Sequence, residues 1–311
     1  MINIRNSLNK NTFDSVNIYC QDESRFGLIT KQKRAWREFQ NICQEYSNKN
    51  GFVTRELEKI LKIINKKKSE IMILDHGCGG GLISLYLVAI GYSGVHGVNV
   101  NGEVENLNKI FEMLNHKQKQ RFFRTNGREL PFLDDTFDLI FSKQVLEHVN
   151  ATDIEIFYAE ENRVGKNGAM IFHELPHLFQ PYDSHSRLFF AHWMPRFIQP
   201  FIYGVMKTLQ SKKNCLGQGK LIAKRFNGDF LTLRSPFFHY KLSKKYFGNC
   251  VDVSERRLLE KIAVEDYDRD GALVFRRIIS LFLTAPFASG FFVKLLRYFF
   301  VISTTSINQK H

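Results

Sequence analysis

The chain is poor in acid, in paired cysteines and in long apolar runs. Against 44 Lys and Arg, its 311 residues hold only 31 Asp and Glu, a formal net charge of +13. A basic excess of that size points to an anionic partner: nucleic acid, a membrane surface or a phosphorylated substrate. The five cysteines (Cys20, Cys43, Cys78, Cys215, Cys250) are odd in number, widely spaced and free of any Cys-x-x-Cys pair. That argues against a disulfide framework or a cysteine zinc site, and for reduced thiols in the cytoplasm. The N-terminus carries no apolar run, so the reading is of a chain without a secretory signal. The uncharged stretch Ile278 to Val293 falls short of the ~20 residues that span a bilayer, and it contains Pro286 and Gly290. What the chain does have is an ordinary globular composition, 44% hydrophobic and 24% charged, with 29 Phe. Abundant Phe beside basic residues leans toward a membrane or lipid-like ligand, and also serves as plain core.

The most organised stretch is Ile71-Met-Ile-Leu-Asp75-His-Gly77-Cys-Gly79-Gly-Gly81, followed by Leu82-Ile-Ser-Leu-Tyr-Leu at helical spacing. It reads as a buried strand, a tight glycine turn and a helix start. Such a turn lets a ligand approach bare backbone, with free N–H groups of the helix aimed at it. A dinucleotide fingerprint requires Gly-x-Gly-x-x-Gly. Here the spacing is Asp-x-Gly-x-Gly-x-Gly, which resembles the first motif of class I S-adenosylmethionine-dependent methyltransferases. A longer segment, Glu129-Leu-Pro-Phe-Leu-Asp-Asp-Thr-Phe-Asp138-Leu-Ile-Phe-Ser142-Lys-Gln144-Val-Leu-Glu147-His148-Val149, is similar to the fourth-strand region of small-molecule methyltransferases of the ubiquinone-biosynthesis type. The two together cover about residues 70–175.

The resemblance implies an α/β fold: a Rossmann-like, mostly parallel sheet with helices on both faces. To it are added a substrate-side insertion and a C-terminal hydrophobic helical segment. It also implies S-adenosyl-L-methionine as cofactor, held by Asp75, Gly77, Gly79, Gly81, Asn99, Asn126, Gly127, Ser142 and Gln144. Two of these depart from the family. An acidic residue usually ends the second strand and takes both ribose hydroxyls, where this chain has Asn99 after Val95-His-Gly-Val. An amide offers one acceptor oxygen where a carboxylate offers two. An Asp usually receives the adenine amino group, where this chain has Asn126, whose carbonyl is expected to accept the same bond.

Other elements follow from periodicity. Helices are expected over 31–46 (with Trp36 and Phe39 available to cover the cofactor), 53–64, 153–164 and 231–247. The run Lys66-Lys67-Lys68 reads as the solvated end of the 53–64 helix, suited to its dipole. Lys166-Asn-Gly168 reads as a turn before a fifth strand, Ala169-Met-Ile-Phe. His173-Glu174-Leu-Pro-His177 matches the zinc-protease string, but that chemistry needs a continuous helix, which Pro176 and the preceding strand oppose. The organisation expected is an N-terminal helical region over 1–69, a cofactor-binding core over 70–175, an insertion and domain remainder over 176–275, and a hydrophobic basic tail over 276–311.

After the fifth strand, Leu188-Phe-Phe-Ala-His192-Trp193-Met-Pro195-Arg196 resembles the insertion of a methyltransferase subgroup carrying Leu-Pro-Phe-x-His-Trp-Leu-Pro-Arg, with Phe189 in place of the first Pro. A hydroxyl acceptor must lose its proton as the methyl arrives, and histidine suits that work near neutral pH. The candidates are His185, His192 and His148, each of which has a structural role as its plainer reading. Residues 197–230 interleave aromatic with basic side chains, and 276–302 pairs phenylalanines with basic residues in a pattern fitted to in-plane membrane contact or to capping the protein's own core.

Three functions follow as expectations. The favoured one is methylation, at oxygen, of a small or lipid-linked acceptor of glycan or isoprenoid type, by a cytoplasmic enzyme peripheral on a membrane's inner face. The second is a nucleic-acid methyltransferase. It is disfavoured because Ser142-Lys-Gln-Val stands where base-amine enzymes carry an Asp/Asn-Pro-Pro-aromatic string. The third is a non-catalytic relative, motivated by Asn99 and Asn126.

Overall fold

The computed structural model describes residues 51–100, 104–105, 107–108, 121–183, 185–186, 188–211, 215–226, 231–263, 294–295, 297–299 and 301–310. The expected helix over 31–46, with Trp36 and Phe39, lies outside them, as does most of 276–302. Among the described residues no helix is long and apolar enough to cross a membrane. Among the described residues, seven strands form one sheet in the order β3-β2-β1-β4-β5-β9-β8. They are β1 (Met72–His76), β2 (Gly94–Asn99), β3 (Phe122–Arg124), β4 (Phe137–Lys143), β5 (Gly165–Leu175), β8 (Val251–Asp252) and β9 (Ile302–Ile307). A two-stranded hairpin, β6 (Tyr182–Asp183) with β7 (Leu188–Phe189), stands apart. The fold is the mostly parallel, Rossmann-like α/β sheet expected. The chain divides into two compact units: residues up to 143 with 159–172 and 307 onward, and residues 144–158 with 173–306.

In the first unit, β1 pairs in parallel with β2 and with β4, and β2 pairs in parallel with β3. Strands buried on both faces need continuous apolar sequence, and Ile73, Leu74, Val95, Val98, Leu139, Ile140 and Phe141 are all fully buried. The order reverses between β1 and β4, so the carboxyl ends of these two strands form the switch point where such sheets bind ligands. Helix α1 (Phe52–Ile64) buries Leu57, Ile60 and Leu61, and α2 (Leu82–Ala89) follows the glycine turn. Asn65 in the left-handed conformation ends α1. The lysine run beyond it is not simply solvated: Lys66 reaches the buried Asp138 carboxylate at 2.7 Å. Lys166 (2.9 Å) and the Met72 N–H (2.9 Å) bind the same carboxylate. Burial pulls Asp138 upward, but these donors outweigh it and hold the group below the usual carboxylate range. Lys166-Asn-Gly168 is not a turn between elements. These residues lie inside β5, where Gly168 takes φ +83° and Asn308 bonds both Gly168 and Ala169 through its backbone.

In the second unit, the 3-10 turn Leu146–His148 is followed by the opening of α3 (Ile154–Val164), whose last residues belong to the first unit. Helices α4 (Gln199–Ser211) and α5 (Gly219–Lys224) pack closely: a Cβ on Gly219 would fall 1.8 Å from the Pro200 carbonyl oxygen. Leu188, Ala191, Tyr203 and Ala223 form the core there. The helix expected over 231–247 begins at Pro236, because Ser235 caps it by accepting from the Phe238 N–H at 3.2 Å and Pro sits at the first position. Thus α6 spans Pro236–Phe247, and α7 (Ser254–Ala263) follows β8. Within the tail expected to be helical, Ile302–Ile307 is instead the strand β9, antiparallel to β8. The His173-Glu174 string lies on β5, so the zinc-protease geometry is absent.

Candidate functional site

The glycine turn joins β1 to α2, and Gly77, Gly79 and Gly81 all take positive φ (+87°, +49° and +69°). Three left-handed positions in alternation are what glycine permits and other residues resist. The turn is pinned from below, where the N–H groups of Gly77 and Cys78 both donate to the Val98 carbonyl at 2.9 Å. A Cβ on Gly81 would meet Leu107 at 2.7 Å, so that glycine serves internal packing. A Cβ on Gly79 would meet nothing within 4 Å, so its approach stays open to a ligand. Gly81 is also the residue before α2, whose first N–H groups have no partner within the helix.

Asp75 does not face outward. It is buried beneath the turn and accepts the Ser84 hydroxyl at 2.7 Å. Burial pushes its carboxyl up to about 7, against the Ser84 bond and the Lys143 charge. Cys78, inside the same turn, is a buried thiol whose proton burial holds firmly.

Asn99 ends β2, and its side-chain oxygen accepts from the Val100 N–H at 3.0 Å. The Asn126 oxygen accepts from both Arg128 N–H (2.8 Å) and Glu129 N–H (3.0 Å). Both lone pairs of that oxygen are therefore engaged, and the amide NH2 is what Asn126 offers a ligand. The expected acceptance of the adenine amino group by that carbonyl would displace one of these two bonds. Gly127, next in line, takes φ +79°, and its N–H is held by the Thr125 hydroxyl at 3.2 Å. The loop beyond is clamped by Arg163, which binds the carbonyls of Leu130 (3.0 Å) and Phe132 (2.8 Å) and the carboxylates of Glu160 and Asp134. That clamp explains the Leu-Pro-Phe-Leu-Asp portion of the second motif as structural.

Ser142 is buried at the carboxyl end of β4, and its hydroxyl makes no hydrogen bond. An orphaned hydroxyl at the switch point and an open cradle over Gly79 are what a bound nucleoside-type cofactor would satisfy. The first unit's residues therefore fit S-adenosylmethionine.

Gln144 opens the second unit in a left-handed conformation (φ +55°), with its N–H on the Glu174 carbonyl at 2.7 Å. Such backbone in a residue other than glycine collects at functional sites. Just beyond, His148 and His185 come together, their rings edge-to-face at 5.2 Å. Between them lies a residue the sequence reading did not single out. Glu147 is buried, with its Oε1 3.9 Å from Nε2 of each histidine and neither oxygen hydrogen-bonded. Burial pushes its carboxyl up to about 7, with His185 opposing and Asp183 adding to the rise. His185 Nδ1 lies 3.0 Å from Asp183 Oδ1. Burial alone would lower His185, but Asp183 and Glu147 outweigh it and raise it.

Arg234 fixes the turn that carries Glu147 and His148, donating to the carbonyls of Leu146 (2.9 Å) and Val149 (2.6 Å). The Thr232 N–H adds a bond to the Glu147 carbonyl at 2.7 Å. His192 is held differently, its Nε2 3.2 Å from the Leu178 carbonyl that also accepts the Trp193 indole N–H at 2.6 Å. Burial lowers His192 and favours its neutral form, against Asp183 and the carbonyl contacts. The only signal for Glu147 in the sequence was its adjacency to His148.

Residues 74–173 match the model of a methyltransferase domain. The chain is 26% identical over 225 residues to a ubiquinone biosynthesis O-methyltransferase of Pelagibacter ubique, covering 63% of this chain and 88% of that one. It is 28% identical over 155 residues to a demethylmenaquinone methyltransferase of Alkalihalophilus pseudofirmus, covering 46% of this chain but only 62% of that one. Among solved structures, the PH0226 protein of Pyrococcus horikoshii is 24% identical, with a TM-score of 0.32 over 43% of this chain and 59% of that one. The sheet order and the glycine turn between β1 and α2 are those of a Rossmann-like α/β fold whose switch point lies between β1 and β4. The chain carries a class I S-adenosylmethionine-dependent methyltransferase domain.

Proposed function

We propose that this enzyme methylates a hydroxyl oxygen on a small, lipid-linked acceptor of isoprenoid type. The observation that carries the methyl-transfer reading is the turn of three left-handed glycines between β1 and α2. When bound, S-adenosylmethionine supplies a methyl group on a positively charged sulfur, and the products are a methyl ether, a proton and S-adenosylhomocysteine.

Each residue has a task in that reaction. Gly79 gives backbone access, Ser142 offers its hydroxyl, Asn99 serves the ribose side, and Asn126 with Gly127 serves the adenine side. Asp75 and Ser84 hold the turn in place. The acceptor must also surrender its hydroxyl proton, and within the second unit Glu147, His148 and His185 are the titratable groups gathered for such work. Alignment accounts for most of the remaining acceleration.

The lipid-linked part of the reading is supported by the exposed side chains of one stretch of the second unit. Phe189, Phe190, Trp193, Phe197 and Phe201 are exposed within a span that also carries Arg196, Lys207, Lys220 and Lys224, and the sequence from 184 to 228 contains no acidic residue. Exposed aromatics amid unbalanced positive charge suit an anionic lipid surface. The names of the two relatives support acceptors of quinone type. Incubating the enzyme with radiolabelled S-adenosylmethionine and hydroquinones bearing a short isoprenoid tail tests the assignment. Label in a methyl ether is the expected product. Label in a ring-carbon methyl, or none in hydroquinones while RNA is labelled, contradicts it.

A further inference from the structure

We propose that Glu147, His148 and His185 form a binding site for a divalent first-row cation, zinc being the ion the donor set fits best. One carboxylate oxygen and two imidazole nitrogens are the ligand types zinc takes in catalytic sites, where three protein ligands leave a position open. The three candidate ligand atoms lie within 4.8 Å of one another. A tetrahedral cation bonded to each at about 2.0–2.1 Å needs the ligand atoms about 3.4 Å apart, so each histidine must close on Glu147 by about half an ångström from its present 3.9 Å, and the two histidines on each other from within 4.8 Å.

The surroundings are those of a built site. Asp183 is itself buried and engages His185 Nδ1 at 3.0 Å. A neutral imidazole donating its Nδ1 proton to a carboxylate presents its Nε2 lone pair, the arrangement found behind metal-bound histidines. That lone pair faces the Glu147 carboxylate, which is buried and accepts no hydrogen bond. Electron-rich atoms thus converge on one point, and a buried carboxylate left so costs free energy unless a cation meets it. The Asx turn at Asp183, which takes the N–H groups of His185 (3.0 Å) and Ser186 (3.1 Å), fixes one side. Arg234 and Thr232 fix the other.

The inference rests on the proposed methyl transfer only for its purpose. A divalent cation lowers the pKa of a hydroxyl bound to it, so the acceptor loses its proton near neutral pH without a free base. His148 and His185 are then ligands, and His192 lies outside the set.

The test uses the full-length protein, stripped with chelator, dialysed and titrated with cobalt(II) while its visible d–d absorption is followed. Binding of S-adenosylhomocysteine is measured calorimetrically on the same sample, so failure of the cation site and failure of the cofactor reading separate. One equivalent of cobalt, displaced by zinc, is expected. Glu147→Gln and His185→Ala should each weaken binding at least tenfold, and Asp183→Asn roughly 10–100-fold through His185. His148→Gln, at a side chain a third exposed, provides a variant whose fold is spared, confirmed by circular dichroism; it too should lose at least tenfold. His192→Ala should leave cobalt binding unchanged. No cobalt absorption from the stripped native protein overturns the site. So does absorption that survives in Glu147→Gln, His148→Gln and His185→Ala alike.

Discussion

Ser84, on the first turn of α2, donates its hydroxyl to the buried carboxylate of Asp75 at the end of β1, 2.7 Å away. One hydrogen bond thereby closes the strand–turn–helix from beneath and leaves its upper side bare backbone. Ser84→Ala leaves that carboxylate without its hydroxyl donor, at a cost of about 1–3 kcal/mol. A lowered Tm reports it; an unchanged Tm would show that the turn holds without the bond.

The same pair predicts a pH dependence. Asp75 titrates at about 7 in the folded chain against 3.8 for an ordinary carboxyl, so the folded state holds the proton more tightly. Its contribution is fully present below the unfolded value and is lost as pH rises through about 7. Asp75→Asn should therefore raise Tm relative to the native protein above neutrality and match it more closely near pH ~4. Parallel Tm curves for the two proteins would contradict the burial argument.

Gly79 and Gly81 should respond differently to alanine. Both take positive φ, costing an L-residue about 1–2 kcal/mol. Only at Gly81 does the new methyl also strike Leu107. Gly81→Ala is expected to lower Tm more, whereas Gly79→Ala should chiefly weaken S-adenosylhomocysteine binding, because its methyl fills open space. Thermal melts and calorimetry on the two variants check the order.

How much of this was legible follows from which constraints are local. The glycine turn could be read because alternating left-handed positions demand glycine, and β4 because a doubly buried strand demands Phe137-Asp-Leu-Ile-Phe. Asp138 interrupts that run, and nothing local says that Lys66 and Lys166 will neutralise it. Glu147 was missed because its significance depends on Asp183 and His185, which lie beyond β5. Ile302-Ser-Thr-Thr-Ser-Ile was missed because its buried hydroxyls disguise a sheet strand; Ser303 and Thr304 are almost fully buried. His148 and His185 are legible by their chemistry alone, and the structure brings them together while tying His192 to Leu178.

The exposed aromatic surface makes its own prediction. Phe197 and Phe201 are 82% and 68% exposed, so replacing both by Ser spares the core. Co-sedimentation with vesicles of anionic phospholipid should fall severalfold in the double variant and fall with added salt in the native protein. Equal sedimentation of both proteins would remove the membrane reading and leave the methyl-transfer reading intact.

The most direct test of the central claim is a calorimetric titration of the native protein with S-adenosylhomocysteine, beside Asn99→Asp. Binding of one equivalent by the native protein is predicted. In the variant it should be tighter by roughly tenfold, because a carboxylate adds a second acceptor while the first still serves Val100. No heat from either protein would contradict the assignment of the β1/β4 switch point as the cofactor site.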